Sequence, residues 1–348
     1  MKQRVILSHD IGADIAAALE QCERDRLFVL TDENSLRLCW PKLAALDVFA
    51  NARMITIPAG DTNKTVETAA TVWQALVEGG ATRHSCLVNL GGGMVTDLGG
   101  FAASTFKRGI NFVNIPTTLL SLVDASVGGK TGVNFGSLKN EVGVFSDSKF
   151  VILSTVFLDT LDTENMLSGY AEMLKHGLIS DLDTWAELLR FDPVEPDLQQ
   201  LQAMVAKSVG VKERIVEADP LEHSIRKALN VGHTAGHAIE SWAMRHGRPM
   251  LHGCAVAHGI VCELYLSSIK TGFPTEPFRQ TVSFIREHYG RPMLTCNDYD
   301  EVIALMHHDK KNVAGTINFT LLGGIGDIRI NCTAEETEIA EALDFLCF

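Results

Sequence analysis

Two histidines four residues apart, His233 and His237 in GHTAGHAIE, project from one face of any helix that holds them, and Glu240 follows three residues later. His252 comes next in LHGCAVAHG, and Glu172 lies upstream in SGYAEMLKHG with Lys175 and His176 one turn further on. Imidazoles and a carboxylate in this number suit a divalent ion such as zinc, with coordination positions left open for a substrate. An HxxxH pair also arises on helices for packing alone, so the spacing by itself leaves both readings open. His84, His223, His246, His258, His288, His307 and His308 show no such pattern and are read as structural or exposed.

A second kind of chemistry is suggested by Gly91-Gly92-Gly93-Met94-Val95-Thr96-Asp97, which follows the apolar run Cys86–Leu90 and opens a helical stretch. Glycines let backbone N–H groups come close to a diphosphate, and a helix N-terminus adds a favourable dipole. The spacing departs from GxGxxG, and a tight turn would use the same residues. Asp32, Glu33 and Asn34 follow another apolar run, where an acidic group could hold a ribose hydroxyl or simply cap a helix. A third signal is local basicity. Arg108, Lys130, Lys139, Lys175, Lys212, Arg226, Lys310 and Lys311 each stand beside Gly, Asn or His within apolar segments, as in VGGKTG and SLKNEVG. Singly these are surface groups; together they suit phosphate and carboxylate recognition.

The elements that must position these groups change character along the chain. Runs at Arg26–Leu30, Arg53–Ile57, Cys86–Leu90, Phe112–Ile115 and Phe150–Leu153 read as strands, with helical patterns at Thr65–Gly79 and Asp97–Phe106 between them. That alternation predicts a parallel α/β sheet. From Thr163 onward helical patterns dominate: Thr163–Ile179, Asp183–Leu189, Pro196–Glu217, Gly232–Arg245, Gly253–Ile269 and Thr275–His288. The boundary is placed at residue 162, giving domains 1–162 and 163–348. Gly232 and Gly236 in the histidine helix cost up to about 1 kcal/mol each against alanine if interior, which a close approach of ligand or backbone would justify.

The net charge of −13 argues against nucleic-acid or anionic-membrane partners, which need a basic face. The eight cysteines form no CxxC pair, so reduced thiols in a cytoplasmic protein are expected rather than a disulfide framework. No signal-peptide pattern opens the chain, and no apolar run is long enough for a transmembrane helix.

GGGMVTDLGGFAASTFKRG, NIPTTLLSLVDASVGGKTGVN, LKNEVGVF, SGYAEMLKHGLI, IRKALNVGHTAGHAIE, LHGCAVAHG and HDKKN resemble, in order, the segments of the 3-dehydroquinate synthase family, a branch of the sugar phosphate cyclases. The resemblance implies an α/β Rossmann-like NAD-binding domain followed by a mostly α-helical domain, and NAD with Zn2+ or Co2+ as cofactors. It implies metal ligation by Glu172, His233 and His252. It implies substrate contacts and catalytic roles for Asp124, Lys130, Asn140, Lys175, Lys212, Arg226, Asn230 and His237, with one of Lys310 and Lys311. NAD contacts are implied for Asp32, Asn34, Asp61, Lys64, Gly92, Gly93, Met94, Asp97, Thr117, Thr118, Lys139, Phe157 and Thr160. Arg108 resembles an arginine that reaches the neighbouring site in the family's homodimers.

The implied reaction turns 3-deoxy-D-arabino-heptulosonate 7-phosphate into 3-dehydroquinate and phosphate, a step toward aromatic amino acids. It runs by transient oxidation, phosphate elimination, re-reduction, ring opening and aldol closure. Asp61 stands where the family has Glu, and Thr96 where Gly is common. Three alternatives are another sugar phosphate cyclase, a metal-dependent polyol dehydrogenase and a non-catalytic NAD-binding protein. The basic set argues against a neutral polyol, and the intact Glu172, His233 and His252 argue against a silent site.

Overall fold

The computed structural model describes residues 3–136, 138–307 and 316–348. Lys310 and Lys311 lie outside the described residues. The chain divides into two compact units, Met1–Asp162 with Asp197–Val209, and Thr163–Pro196 with Gly210–Phe348.

In the first unit, strands β1 (Arg4–Leu7), β2 (Leu27–Asp32), β3 (Arg53–Ile57), β4 (Cys86–Gly91) and β5 (Asn111–Pro116) alternate with helices α1 (Ile11–Glu20), α2 (Glu33–Leu38), α3 (Val66–Glu78) and α4 (Gly93–Thr105). A hairpin of β6 (Lys130–Phe135) and β7 (Leu138–Phe145) follows, then β8 (Phe150–Leu153). The main sheet runs β1-β8-β5-β4-β2-β3, with every pairing parallel. Successive residues of β2 face opposite cores. Phe28 and Leu30 join Val72, Leu76, Leu98 and Phe101 on one side, while Leu27 and Val29 join Ile15, Leu19 and Phe49 on the other. A parallel sheet covered on both faces explains why these strands read as unbroken apolar runs rather than alternating ones.

Helix α4 starts at Gly93, a full turn before the helical pattern expected from Asp97, because Gly92 serves as its N-cap. The segment 197–209 groups with the sheet through a buried glutamine. Gln202 donates from Nε2 to the carbonyls of Ser8 and Leu153 at 3.0 and 3.1 Å and accepts the Thr155 N–H at 2.7 Å. It thereby satisfies backbone groups at the carboxyl ends of β1 and β8.

The second unit is built from helices α5 (Thr163–Leu178), α6 (Leu182–Arg190), the later part of α7 (Leu198–Ala218), α8 (His233–Arg245), α9 (His252–Lys270), α10 (Thr275–Tyr289), α11 (Tyr299–His307) and α12 (Glu336–Cys347). A short antiparallel pair, β9 (Phe319–Gly324) with β10 (Asp327–Cys332), completes it. Helix α9 is its hub and packs against α5, α8, α10 and α12. It is buried on nearly every side, which is why its sequence shows no polar face. Small residues permit the closest crossings. A Cβ on Gly253 would stand 1.7 Å from the Ser168 carbonyl oxygen. Among the described residues no helix is long and apolar enough to cross a membrane.

Candidate functional site

The residues singled out in the sequence fall into two sets, one in each unit. In the first, the sheet order places a topological switch between β2 and β4, where strand connections leave in opposite directions. Ligands of open α/β sheets gather at the carboxyl ends of strands around such a point. Asp32 ends β2, the glycine turn ends β4, and Thr117 and Thr118 follow β5, whose Pro116 pairs with Gly91. The Thr117 N–H donates to the Gly91 carbonyl at 3.0 Å. Gly92 caps α4 without any side-chain hydrogen bond, and a Cβ there would stand 3.0 Å from Thr118 Cγ2. This is a cradle that a larger residue would fill, and its helix N-terminus keeps N–H groups for an anion.

Asp32 serves as the helix cap that its position allowed. Its Oδ1 accepts the Ser35 N–H at 2.6 Å, and Ser35 Oγ accepts the Asp32 N–H at 3.0 Å. Asn34 is exposed on the first turn of α2.

A polar knot joins the loop before α3 to the hairpin. Lys64, only 4% exposed, forms an ion pair with Asp97 and donates to Asn140 Oδ1 at 2.5 Å. Asn134 accepts the Asn140 N–H at 2.9 Å, donates its own N–H to the Lys64 carbonyl at 2.7 Å and reaches the Asp61 carbonyl at 3.0 Å. Lys139 lies 3.4 Å from Asp61 on the exposed rim. Asn140, read from the sequence as a substrate contact, is thus bonded to Lys64, read as a cofactor contact, which is itself paired with Asp97. Lys130 is exposed at the head of β6, and Asp124 is half-buried in the helical turn Ser121–Ala125. Phe157 is fully buried, and its carbonyl accepts the Thr160 hydroxyl at 2.8 Å. Arg108 is exposed in a turn where Lys107, Arg108 and Gly109 all take positive φ.

In the second unit, α5 supplies Glu172 and Lys175, α8 supplies His233 and His237, and α9 opens with His252. Ring nitrogens of His233, His237 and His252 lie within 4.8 Å of one another. Glu172 is fully buried. Its Oε2 is paired with Lys175, while Oε1 has no hydrogen-bond partner among the described residues. That orphaned oxygen sits 3.5 Å from His233 Nε2 and 3.6 Å from His252 Nε2. Ligand atoms about 2.0–2.2 Å from a tetrahedral ion lie about 3.3–3.6 Å apart, so this donor set fits zinc or cobalt.

The outer nitrogens are also set. His233 Nδ1 faces the Val231 carbonyl at 3.2 Å, and His252 Nδ1 faces Glu240 Oε2 at 3.1 Å. A carbonyl or carboxylate oxygen can only accept, so each ring carries a proton on Nδ1 and turns its Nε2 toward Glu172.

Buried cations complete the second set. Lys175 is 1%, Arg226 2% and Lys212 6% exposed. Arg226 and Asn230 share the turn Ile225–Asn230, and Asn230 Nδ2 donates to Glu222 at 3.0 Å. Asp219 anchors this turn. Burial raises its carboxyl, but the N–H groups of Ser224, His223 and Arg226 outweigh that and hold it at about 2.

The family described as 3-dehydroquinate synthase N-terminal matches residues 54–168, and the one described as 3-dehydroquinate synthase C-terminal matches residues 169–312. A 3-dehydroquinate synthase of Parabacteroides distasonis is 51% identical over 344 residues, covering 99% of this chain and 98% of that protein. The chain belongs to the 3-dehydroquinate synthase family. Another member, from Thermoanaerobacter pseudethanolicus, is 37% identical over 91% of this chain and 90% of that protein. Among solved structures, a 2-epi-5-epi-valiolone synthase from Streptomyces hygroscopicus with NAD+ and Zn2+ bound aligns with a TM-score of 0.87. It is 27% identical, over 99% of this chain and 97% of its own.

Within this 3-dehydroquinate synthase family chain, Glu240 stands in the histidine motif without a sequence sign of its place behind His252, and Glu263 lies outside that motif. The signal for Glu263 was available: it is an acidic residue inside the apolar run GIVCELYL, eleven residues after His252 and so on the same face of α9.

Proposed function

We propose that this chain converts 3-deoxy-D-arabino-heptulosonate 7-phosphate to 3-dehydroquinate and phosphate, with NAD and a zinc or cobalt ion as cofactors. The observation that carries the reading is the burial of Lys175, Lys212 and Arg226 in the unit that holds the histidine cluster. Lysine and arginine donors grouped with a histidine cluster suit a substrate that carries both a phosphate and a carboxylate, neither of which a neutral polyol has.

Glu172, His233 and His252 would hold the metal. When bound, the metal makes loss of a hydroxyl proton easier, and NAD takes up and returns a hydride. Arg226 would clasp the substrate carboxylate through two parallel N–H bonds, with Asn230 beside it on the same turn. Lys130, Asn140, Lys175 and Lys212 would hold phosphate and ring hydroxyls. His237 and Asp124 would hold or pass the proton released from the substrate.

Gly92, Gly93, Met94 and Asp97 would receive the NAD diphosphate, with Thr117 and Thr118 beside them. Asp32, Asn34, Asp61, Lys64, Lys139, Phe157 and Thr160 would complete that site. A homodimer is part of this reading, with the exposed Arg108 turn reaching the neighbouring site. So is a cytoplasmic location, which suits the eight free thiols. A related cyclase acting on a sugar phosphate without a carboxylate is the second reading, and Arg226 favours the first.

The test is phosphate release from 3-deoxy-D-arabino-heptulosonate 7-phosphate with catalytic NAD and added zinc, while absorbance at 340 nm reports NADH. Many turnovers of phosphate without NADH build-up are expected. Chelation and His233→Ala should each lower the rate by more than about a hundredfold, since loss of a metal ligand exceeds the usual cost of losing its supporting residue. Stoichiometric NADH without phosphate would instead mean a dehydrogenase.

A further inference from the structure

Helix α8 begins at Gly232, which offers no side chain to cap its free N–H groups. The cap comes from α9. Glu263, 1% exposed, accepts the Thr234 and Ala235 N–H groups on Oε1 at 3.0 and 3.3 Å, and the Gly232 N–H on Oε2 at 2.7 Å. The Gly232 bond has a further consequence. That N–H belongs to the same peptide group as the Val231 carbonyl, and the carbonyl accepts from His233 Nδ1 at 3.2 Å. Resonance couples the two ends of a peptide group, so drawing on its N–H makes its oxygen a better acceptor.

We propose that Glu263 is a positioning residue for the metal centre, acting on His233 through the Val231–Gly232 peptide group. The inference rests on the metal reading above and deepens it. His252 has the direct arrangement, a carboxylate of Glu240 on its Nδ1 at 3.1 Å. His233 has the same arrangement lengthened by one peptide: carboxylate, peptide group, imidazole, ion. Both imidazoles thus have a carboxylate behind them, which fixes the ring, sets the proton on Nδ1 and raises the basicity of Nε2. The peptide link also suits the crowding there, since the Gly232 carbonyl oxygen lies 1.9 Å from where a Cβ on Gly259 would stand. No side chain could be added between the helices at that point.

The experiment titrates metal-depleted full-length protein with Co2+ and follows the visible ligand-field band of the ion. Glu263→Gln keeps the shape and one acceptor but removes the charge. It should bind Co2+ about tenfold more weakly and shift the band, at the lower end of the effect of losing a supporting residue. Glu240→Gln should weaken binding by at least as much. Asp181→Ala removes an unrelated cap, that of α6, where Oδ1 accepts the Thr184 N–H at 2.8 Å. It should leave the Co2+ affinity unchanged.

Co2+ binding by Glu263→Gln within about twofold of the parent with an unchanged band, or equal weakening by Asp181→Ala, would overturn the relay. Failure of the parent itself to take up Co2+ would instead overturn the metal reading on which the relay rests. Should Glu263→Gln not fold, the parent still decides. Zinc loading should move the Gly232 amide proton downfield by more than those of Thr234 and Ala235, which share Glu263 but not the path to His233. Equal shifts would end the proposal.

Discussion

Helices α4 and α8 both start from a glycine N-cap, and the two units use that device in opposite ways. Among the described residues no side chain caps the N-terminus of α4 at Gly92, while at Gly232 the N-terminus of α8 is closed by the buried carboxylate of Glu263. An open N-terminus invites an anionic ligand. A closed one has its partial charge answered internally, so the first histidine of α8 can present a neutral nitrogen lone pair to a cation. The conformations differ too. Gly92 has φ −72°, open to any residue, whereas Gly232 has φ 80° in the left-handed region.

Substitution at the two caps separates these roles. Gly232→Ala meets both the left-handed backbone and a Cβ position 2.6 Å from Ile260 Cγ1 and 2.9 Å from the Val256 carbonyl oxygen. Strain and overpacking together should destabilise the second unit by about 3–5 kcal/mol, seen as a fall in the denaturant midpoint. A midpoint within error of the parent would mean that the cap relaxes without cost and that the contrast is false.

Next in size is the exchange of a buried cation. Arg226→Lys keeps the charge but loses the fork, and kcat/KM should fall about 10–100-fold, mainly through KM. The exposed Lys139, 3.4 Å from Asp61, should tolerate Lys139→Arg with less than about a threefold change in NAD affinity. Equal sensitivity at both positions would erase the difference between a buried and a rim site.

A smaller effect is expected at the open cap. Gly92→Ala is compatible with the backbone, but the new methyl stands 3.0 Å from Thr118 Cγ2. Stability should change by less than about 1 kcal/mol, while NAD binds about tenfold more weakly by equilibrium fluorescence and the metal binds as before. Unchanged NAD affinity would remove the cradle from the cofactor site.

The same contrast explains what the sequence could disclose. Strands β3 and β8 run over the residues their apolar runs marked, and α5, α8 and α10 start within a residue of the pattern, because burial on a parallel sheet or a helical face leaves a local signature. The hairpin of β6 and β7 left none. Every described residue of β7 is exposed, so LKNEVGVF carries no buried alternation that would mark it as a strand. The candidate ligands were visible from type and spacing, yet the groups behind them were not. Glu240 to His252 spans twelve positions and Glu263 to Gly232 thirty-one, and only the crossing of α8 and α9 brings them together. The cap at Asp32 was legible as one of two readings, and Ser35 is what makes it a capping box.

The smallest effect concerns the two histidines of α9, which bring the contrast down to a single helix. His252 opens the helix with Glu240 on its Nδ1, while His258 is 3% exposed and its Nδ1 finds no partner among the described residues. Burial without an acceptor pushes the His258 imidazole down from 6.5 to about 4. Between those values the unfolded chain takes up a proton that the folded chain refuses, so stability must fall as pH drops. The part of that loss between pH 6.5 and about 5.5 should be about 1 kcal/mol, read from urea denaturation at each pH. His258→Leu offers no proton site and fills the same apolar space, so its stability should lack that increment. A slope that persists undiminished in His258→Leu would place the acid sensitivity elsewhere and would mean that His258 is not held neutral by the core.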